Sequence, residues 1–216
     1  MDPYYSRHEV SNSDLSSLFK YLYGYDDTIP VEAYRFGNLI DYMITEPHRV
    51  DAYKLQAGDY SYSREEFRRA EHMRRSFLQD SFCREIIRGA DTQKTMINPS
   101  FEIEFEGINF TLPVRCKWDI WRGDLGWGGD IKSTTAETQQ QFEAACRHFD
   151  YDRQRAWYMD IAGSDQDILI GISKKNFKIF KLPIRRGDEF YQSGREKYGF
   201  LAFKWWVLFG DIKHAA

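Results

Sequence analysis

Apolar residues recur at helical spacing through the N-terminal part of the chain. The first such stretch carries an apolar stripe over residues 15–22 behind a capping serine, either Ser11 or Ser13. A later stretch follows Ser63 and Glu66, which have the spacing of a capping box. This pattern predicts four helices, over residues 11–22, 31–45, 64–78 and 82–88.

Alternation of apolar and polar residues replaces the helical pattern after residue 100. Ile103 and Phe105 point to one side of a predicted strand, and Gly107 then turns the chain into the next one. β-Branched and aromatic residues are frequent in the segments that follow, as they are in strands. Strands are therefore predicted over residues 101–106, 108–112, 114–121 and 129–133, with a loop at 91–99 and a glycine-rich turn at 123–129.

The C-terminal third combines both patterns. It predicts helices over residues 136–149, 151–162 and 189–209, and a hairpin of strands 167–173 and 177–182. Together these elements predict an α/β (or α+β) fold, in which a mixed central sheet is flanked by helices and preceded by a helical N-terminal portion. Residues 1–216 are expected to form a single domain, with residues 1–10 as a mobile arm.

Composition supports a folded domain and limits the classes of function. The chain has 216 residues, of which 42% are hydrophobic and 17% aromatic, enough for a sizeable core. Its net charge of −3 differs from the strong basic excess of a simple nucleic-acid binder. Cys83, Cys116 and Cys146 have neither disulfide nor zinc spacing, so buried thiols in a reducing cytoplasm are expected. No signal peptide or membrane span is predicted.

Candidate chemistry is concentrated on two strands joined by the glycine-rich turn. Asp119 lies on the first, and Asp130 and Lys132 share one face of the second, with Ile131 pointing to the core. Two carboxylates and the Ile131 carbonyl can hold a hard divalent cation, which activates water for phosphodiester hydrolysis. Lys132 can orient or deprotonate that water and neutralise transition-state charge. The alternative is a polar hairpin with a surface salt bridge.

The order of these residues resembles a known nuclease group. Asp119, then Asp130-Ile131-Lys132, then Gln154 and Tyr158 in a Q-x-x-x-Y helix, are similar to the PD-(D/E)xK superfamily and its RecB-like branch. Residues 10–15 and 36–47 resemble the "iSnSdL" and "GtliH…EP" segments of phage and prophage exonucleases of the RecE (exonuclease VIII) type. The resemblance extends from about residue 10 to about residue 180, and it implies a restriction-endonuclease-like core.

The resemblance implies roles for four further residues. Gln154 and Tyr158 would lie near the metal and contact substrate or catalytic groups; alternatively they form a core contact. Asp41 occupies the position of the family's histidine and would be a metal ligand, unless it faces solvent. Glu104 would be the glutamate that the family places upstream of its first catalytic aspartate, unless it is an exposed strand residue.

The function implied is a Mg²⁺-dependent deoxyribonuclease, with Mn²⁺ able to substitute. More specifically, it would be a prophage exonuclease acting on DNA ends in recombination. A PD-(D/E)xK endonuclease or repair nuclease is one alternative. A catalytically inactive DNA-binding or assembly protein is another, because Asp41 departs from the family pattern.

DNA and protein partners follow from the same resemblance. Arg68 and Arg75 could follow the phosphate backbone, although the default interpretation of their helix is a solvated, salt-bridged face. Lys174 and Lys175 could touch DNA or equally solubilise a sheet edge. The expected assembly is a homo-oligomeric ring, with a single-strand-annealing recombination protein as partner. The aromatic C-terminal segment, residues 198–209, is the candidate ring interface, unless it packs on its own subunit.

Overall fold

A five-stranded mixed sheet forms the centre of the structure, a computed structural model that describes residues 3–24 and 31–210. In these residues there are seven α-helices: α1 (Asn12–Tyr23), α2 (Val31–Thr45), α3 (Arg64–Gln79), α4 (Ser81–Arg88), α5 (Gln139–His148), α6 (Tyr151–Ala162) and α7 (Glu189–Phe209). The strands are β1 (Val50–Asp51), β2 (Gln56–Ala57), β3 (Tyr60–Ser61), β4 (Asp91–Phe105), β5 (Ile108–Arg122), β6 (Trp127–Thr134), β7 (Gln166–Ser173) and β8 (Ile179–Arg185). The predicted α+β class is confirmed.

The central sheet has the order β4-β5-β6-β7-β8, and only its β6–β7 pair is parallel. Parallel neighbours need a long crossover, and α5 and α6 provide it. The three short strands β1, β2 and β3 form a separate antiparallel sheet. The crossover is important for the site because its second helix, α6, lies against β6 at Asp130.

Helices cover both faces of the central sheet, so the core has two layers. One layer packs Trp157 of α6 and Tyr198 of α7 against the sheet. The other packs Leu39 of α2 and Met73 of α3 against Ile170. Because helices pack on both faces of the sheet, its central strands are buried on both sides, and β7 is buried along almost its whole length.

Local signals fixed the helix boundaries well. Ser11 and Asp14 form a reciprocal capping box at the start of α1, and Ser63 and Glu66 form another at the start of α3. The bounds predicted for α2, α6 and α7 agree with the structure. The segment between the predicted helices 11–22 and 31–45 lies mostly outside the described residues.

The main error concerns residues 91–99, which were expected to be a loop and instead form the first half of β4. They pair with the far half of β5, so a long-range ladder overrides polar local composition. Pro99 is accommodated where the register shifts between Asn98 and Phe101. The predicted turn at 123–129 is also too long. Gly128 and Gly129 belong to β6, and a Cβ on Gly128 would overlap the Ile120 carbonyl.

Residues 3–10 do not stand away from the fold, in contrast to the mobile arm that was expected. Val10 bridges to β5: its N–H donates to the Pro113 carbonyl, and its carbonyl accepts from the Arg115 N–H, both at 2.8 Å. The side chain of Tyr4 is buried. The N-terminal segment thus covers part of the edge of β5.

Two expectations from composition concern the described residues. Cys83, Cys116 and Cys146 are free and buried, as expected. Across residues 3–24 and 31–210, none of the helices combines the length and hydrophobicity that crossing a bilayer requires.

The crossing of α6 and α7 yields the first prediction. Gly194 of α7 lies so close to α6 that an added Cβ would overlap the backbone carbonyl of Asp152, whereas a Cβ on Gly199 would meet only Phe105 Cδ2, at 3.3 Å. We expect Gly194→Ala to lower the free energy of unfolding by about 1–3 kcal/mol, through overpacking. The matched variant Gly199→Ala should remain within about 1 kcal/mol of wild type, because alanine's helix propensity offsets a slight shift of Phe105. Urea denaturation measures both, and equal effects would contradict this account of the crossing.

Candidate active site

Asp119 and Asp130 lie where β5 and β6 separate. The two strands pair only from Ile120–Gly129 to Arg122–Trp127, and they diverge beyond that point. Asp119 Oδ2 accepts a hydrogen bond from the Ile131 N–H at 2.8 Å. The side-chain carboxylate thus replaces the backbone carbonyl that would accept this bond if the β5–β6 ladder continued. Because the N–H and C=O of one strand residue point to the same side, the Ile131 carbonyl faces the same gap. We call this gap, with Asp119, Asp130, Ile131 and Lys132, the strand fork.

Asp130 is buried and held by two cations. Its Oδ1 accepts from Arg155 Nη1 at 3.0 Å, and its Oδ2 lies 2.7 Å from Lys132 Nζ. The Lys132 ammonium also lies 4.6 Å from the centre of the Tyr151 ring. A buried carboxylate needs such compensation because desolvation of an isolated charge is costly.

Arg155 and its partner Asp167 are the fully enclosed charges beside Asp130. The Arg155 side chain is fully buried, and its Nε donates to Asp167 Oδ2 at 2.6 Å. The guanidinium carbon lies 4.6 Å from the ring centres of both Trp118 and Tyr158, which pack against the planar group. Arg155 therefore ties Asp130 of β6 to Asp167 of β7 from the α6 side of the sheet.

Asp41 approaches the strand fork from α2. Its Oδ1 lies 3.1 Å from Thr45 Oγ1, and Gln93 Nε2 donates to both carboxylate oxygens, at 3.1 and 3.0 Å. Burial is the main cause that raises the pKa of Asp41 to about 6; the Thr45 hydrogen bond opposes the rise and the charge of Asp130 adds to it. The carboxyl group is thus close enough to the fork to be influenced by its charges.

Mutual repulsion of three carboxyl groups is the electrostatic signature of this site. Burial raises the pKa of Asp119 well above its ordinary value, and the charges of Asp130 and Asp41 raise it further. Within the described residues, no three metal-ligating side chains are already arranged around one point. The donor set nevertheless fits a hard divalent cation, since it consists of oxygens whose repulsion such an ion would relieve. A cation would be held by Asp119, Asp130 and the Ile131 carbonyl.

The two other candidate catalytic side chains lie on α6. Gln154 has a buried Oε1 without a hydrogen-bond partner among the described residues, which is an open acceptor on α6. Tyr158 is buried, and burial raises the pKa of its phenol well above the ordinary value, so the group stays protonated and can donate a hydrogen bond. Both side chains belong to the helix that holds Arg155.

The charge state of Lys132 limits its chemistry. Burial alone would lower the pKa of its ammonium group, but the charge of Asp130, supported by Tyr151 and Asp119, outweighs burial and raises it. Lys132 is consequently a cation at neutral pH in this structure. That state suits stabilisation of a negatively charged phosphate and not removal of a proton from water.

Glu104 does not join the site, so its assignment as the upstream metal ligand is corrected. It lies at the β4–β5 turn, where it is exposed and accepts a hydrogen bond from the Gly107 N–H at 2.7 Å. Its ladder partner is Asn109, and β5 runs on from Asn109 to Asp119 over roughly 30 Å at the usual strand rise. The strict alternation of residues 101–106 is that of the edge strand β4. Within β4, the residue opposite Asp119 is Gln93.

The proposed DNA contacts lie on α3 and in the β7–β8 turn. Arg68 and Arg75 are exposed on α3, and Arg75 pairs with Glu71 at 3.0 Å. Lys174 donates its backbone N–H to the Thr134 carbonyl at 2.7 Å, so the β7–β8 turn lies at the end of the strand that carries Lys132. Lys175 is exposed and pairs with Glu137 at 2.9 Å. The salt bridges agree with the expected solvated surface and leave a DNA-binding role as a prediction.

Three residues of the site were missed in the sequence. Arg155 and Asp167 lie in predicted elements, but a hydropathy pattern does not indicate that a charge is buried. Gln93 fell in the supposed loop. A usable signal existed for Arg155 alone, because it lies inside the Q-x-x-x-Y motif, next to Gln154.

Comparison with known proteins agrees with this geometry. Residues 17–180 match the protein family described as "PDDEXK-like domain of unknown function (DUF3799)". No curated protein matches the chain. Among solved structures, it is similar to a phage-related exonuclease from Haemophilus somnus 129PT (12% identity, TM-score 0.46, 95% of this chain and 85% of that one). It is also similar to LHK-Exo in complex with dAMP (13% identity, TM-score 0.35, 96% and 95%). Both likenesses are too distant to support an inference about this chain.

The raised pKa of Asp41 yields a prediction about stability and pH. Because the folded-state pKa of about 6 exceeds the value of about 3.9 for an unfolded chain, ionisation destabilises the metal-free protein as pH rises through this window. Asp41→Asn should therefore be more stable than wild type at pH 8, by up to about 3 kcal/mol, and equal to it near pH 4. Urea denaturation in EDTA at both pH values measures this difference. A difference that does not change with pH would contradict the assigned pKa.

Proposed function

Because the chain belongs to the family of PDDEXK-like domains of unknown function (DUF3799), we propose that it is a metal-dependent nuclease whose active site is the strand fork. The observation that carries this proposal is the meeting of Asp119, Asp130 and Lys132 at the point where β5 and β6 separate. Membership of a PDDEXK-like family supports nuclease activity at the same residues, since their order along the chain is the order that the family name describes.

The residues of the fork divide the work of phosphodiester hydrolysis. A divalent cation, when bound, supplies Lewis acidity toward water and the phosphate. Asp119 and Asp130 hold it through oxygen, and Asp41 is the proposed third carboxylate. Lys132 places a positive charge beside the phosphate, where negative charge grows in the transition state. Arg155 fixes the orientation of Asp130, and so acts through that ligand.

Gln154 and Tyr158 are proposed to contact the substrate. The open Oε1 of Gln154 can accept a hydrogen bond from water or a nucleotide, and the protonated phenol of Tyr158 can donate one. Tyr158 is buried against Arg155, so bulk water is excluded from that side of the fork and polar contacts there are strengthened.

The finer proposal is a Mg²⁺-dependent exonuclease, with Mn²⁺ able to substitute, that acts on DNA ends in prophage recombination. It rests on the motif resemblance and on where two of its segments lie. Residues 10–15 hold the edge of β5 and cap α1, and Asp14 of this segment lies 3.2 Å from Arg115. Residues 36–47 bring Asp41 to the fork. The buried free thiols suit a reducing cytoplasm, which we propose as the location.

The experiment that tests the proposed function is nucleotide release from linear duplex DNA in Mg²⁺. We expect Asp119→Asn and Asp130→Asn to lower the rate at least about 100-fold, since each removes a ligand charge. Lys132→Met should lower the rate similarly and leave metal binding in place, because its ammonium provides no ligand oxygen. Glu104→Ala is the matched control and should keep wild-type activity. Glu104 is an acidic residue on the β4–β5 hairpin, which also carries Asp119.

The form of the DNA decides between the alternatives. An exonuclease leaves a covalently closed circle intact, whereas a PD-(D/E)xK endonuclease or repair nuclease cuts it. Full activity of Asp130→Asn would refute the strand fork as the active site. Absence of cleavage by the wild-type protein with Mg²⁺ or Mn²⁺, on any of these DNAs, would favour an inactive DNA-binding or assembly protein.

We also propose a homo-oligomeric ring that threads DNA, with a single-strand-annealing protein as a further partner. The end of α7 is the candidate interface, but its aromatic residues differ in role. Trp206 stacks on Phe110, with 5.2 Å between ring centres, and therefore contributes to its own subunit's packing. Val207, Leu208 and Phe209 are exposed next to it. A ring would also concentrate modest positive charge on one channel.

Two substitutions on α7 separate the interface from the core. Leu208→Glu should dissociate the assembly and keep its helix content, because the side chain is half exposed and charge opposes an apolar contact. Trp206→Glu should instead lower the free energy of unfolding, since it places a carboxylate against Phe110. Light scattering and circular dichroism at micromolar concentration give both readouts. A wild-type protein that is monomeric and fully processive would exclude the ring.

A further inference from the structure

Gln93 lies at a gap in the β4–β5 ladder, directly opposite Asp119. The residues on either side of it pair in register with β5, and the register continues to Asn98. At the gap itself the backbone of Gln93 is left-handed, with φ of 53°. L side chains rarely adopt this conformation, and residues held in it cluster at functional sites.

The side chain of Gln93 crosses from the sheet to α2. Its Nε2 lies 3.1 and 3.0 Å from the two carboxylate oxygens of Asp41, and 3.0 Å from Thr45 Oγ1. Thr45 in turn hydrogen-bonds the carbonyl of Asp41, at 2.9 Å. One amide group therefore contacts both carboxylate oxygens of Asp41 and the hydroxyl that bonds to it, and Thr45 is itself buried.

We propose that Gln93 is a positioning residue, whose amide holds the Asp41 carboxylate in the orientation that lets it share a cation with Asp119. This inference rests on the proposed function of the strand fork. Gln93 is opposite Asp119 in the sheet and bonded to Asp41 on the helix, so it sets the relation between these two carboxylates.

The chemistry of an amide suits this task. A lysine or arginine at the same place would neutralise Asp41, and the site would lose part of its attraction for a cation. An acid would add a fourth repelling carboxylate. A neutral donor orients the carboxylate and leaves its charge available, as the hydrogen-bonding partners of metal ligands commonly do.

The backbone strain distinguishes positioning from a simple structural tie. If Gln93 only fastened α2 to the sheet, removing it would destabilise the protein. If the left-handed backbone is retained because the site needs the Gln93 side chain, glycine at this position should relieve the backbone strain and also weaken cation binding. Glu106, at the β4–β5 turn, provides a matched control, because it has φ of 50° and is exposed far from the fork.

The test is Mn²⁺ binding by isothermal titration calorimetry without DNA, together with thermal melting in EDTA. Gln93→Gly should weaken Mn²⁺ affinity about 10- to 100-fold and melt no lower than wild type. Glu106→Gly should change melting in the same direction and leave Mn²⁺ affinity unchanged. Unchanged affinity in Gln93→Gly, or a lower melting temperature, overturns the inference.

Wild-type binding separates this inference from the proposed function. If the wild-type protein binds Mn²⁺ and Gln93→Gly binds it equally well, only the role of Gln93 is refuted. If the wild-type protein binds neither Mn²⁺ nor Mg²⁺, the proposed metal-dependent function is refuted, and the role of Gln93 is refuted with it.

Discussion

Compensation of buried negative charge is the constraint on which the site and much of the fold depend. Asp119 and Asp130 lie where two strands separate, and Asp41 lies close enough for its charge to raise the pKa of Asp119. Carboxylates in such poorly hydrated surroundings need partners. The chain supplies them from the sheet and from the crossover: the Ile131 N–H and Lys132 belong to β6, and Arg155 belongs to α6. The crossover helix is thus as necessary to the site as the strands.

Arg155 also explains why so many aromatic residues surround the strand fork. The rings of Trp118 and Tyr158 lie on the guanidinium group, and these two rings pack edge to face with each other. A planar cation packed against two aromatic rings keeps its hydrogen bonds in fixed directions. The rigidity of Asp130 therefore comes from packing, and the close α6–α7 crossing at Gly194 supports that packing from behind.

Sequence patterns predicted what depends on near neighbours. The bounds of α2 and α7 and the shared face of Asp130 and Lys132 follow from periodicity. The capping box of Ser63 and Glu66 follows from the spacing of the two residues. The missed features depend on partners far along the chain: Gln93 and Asp41 are 52 residues apart. Polar residues 91–99 looked like a loop because only their pairing with β5 makes them a strand. Glu104 was chosen by its place in the sequence, whereas the sheet register places Gln93 opposite Asp119.

The cationic partners of Asp130 have a consequence for how the molecule matures. Since Arg155 and Lys132 already balance this carboxylate in the metal-free chain, folding does not have to wait for an ion. On the proposed function, the polypeptide would complete its core before a divalent cation binds. Binding and loss of that cation would then be reversible events on a finished scaffold, unlike those of small domains that unfold when a structural metal is withdrawn.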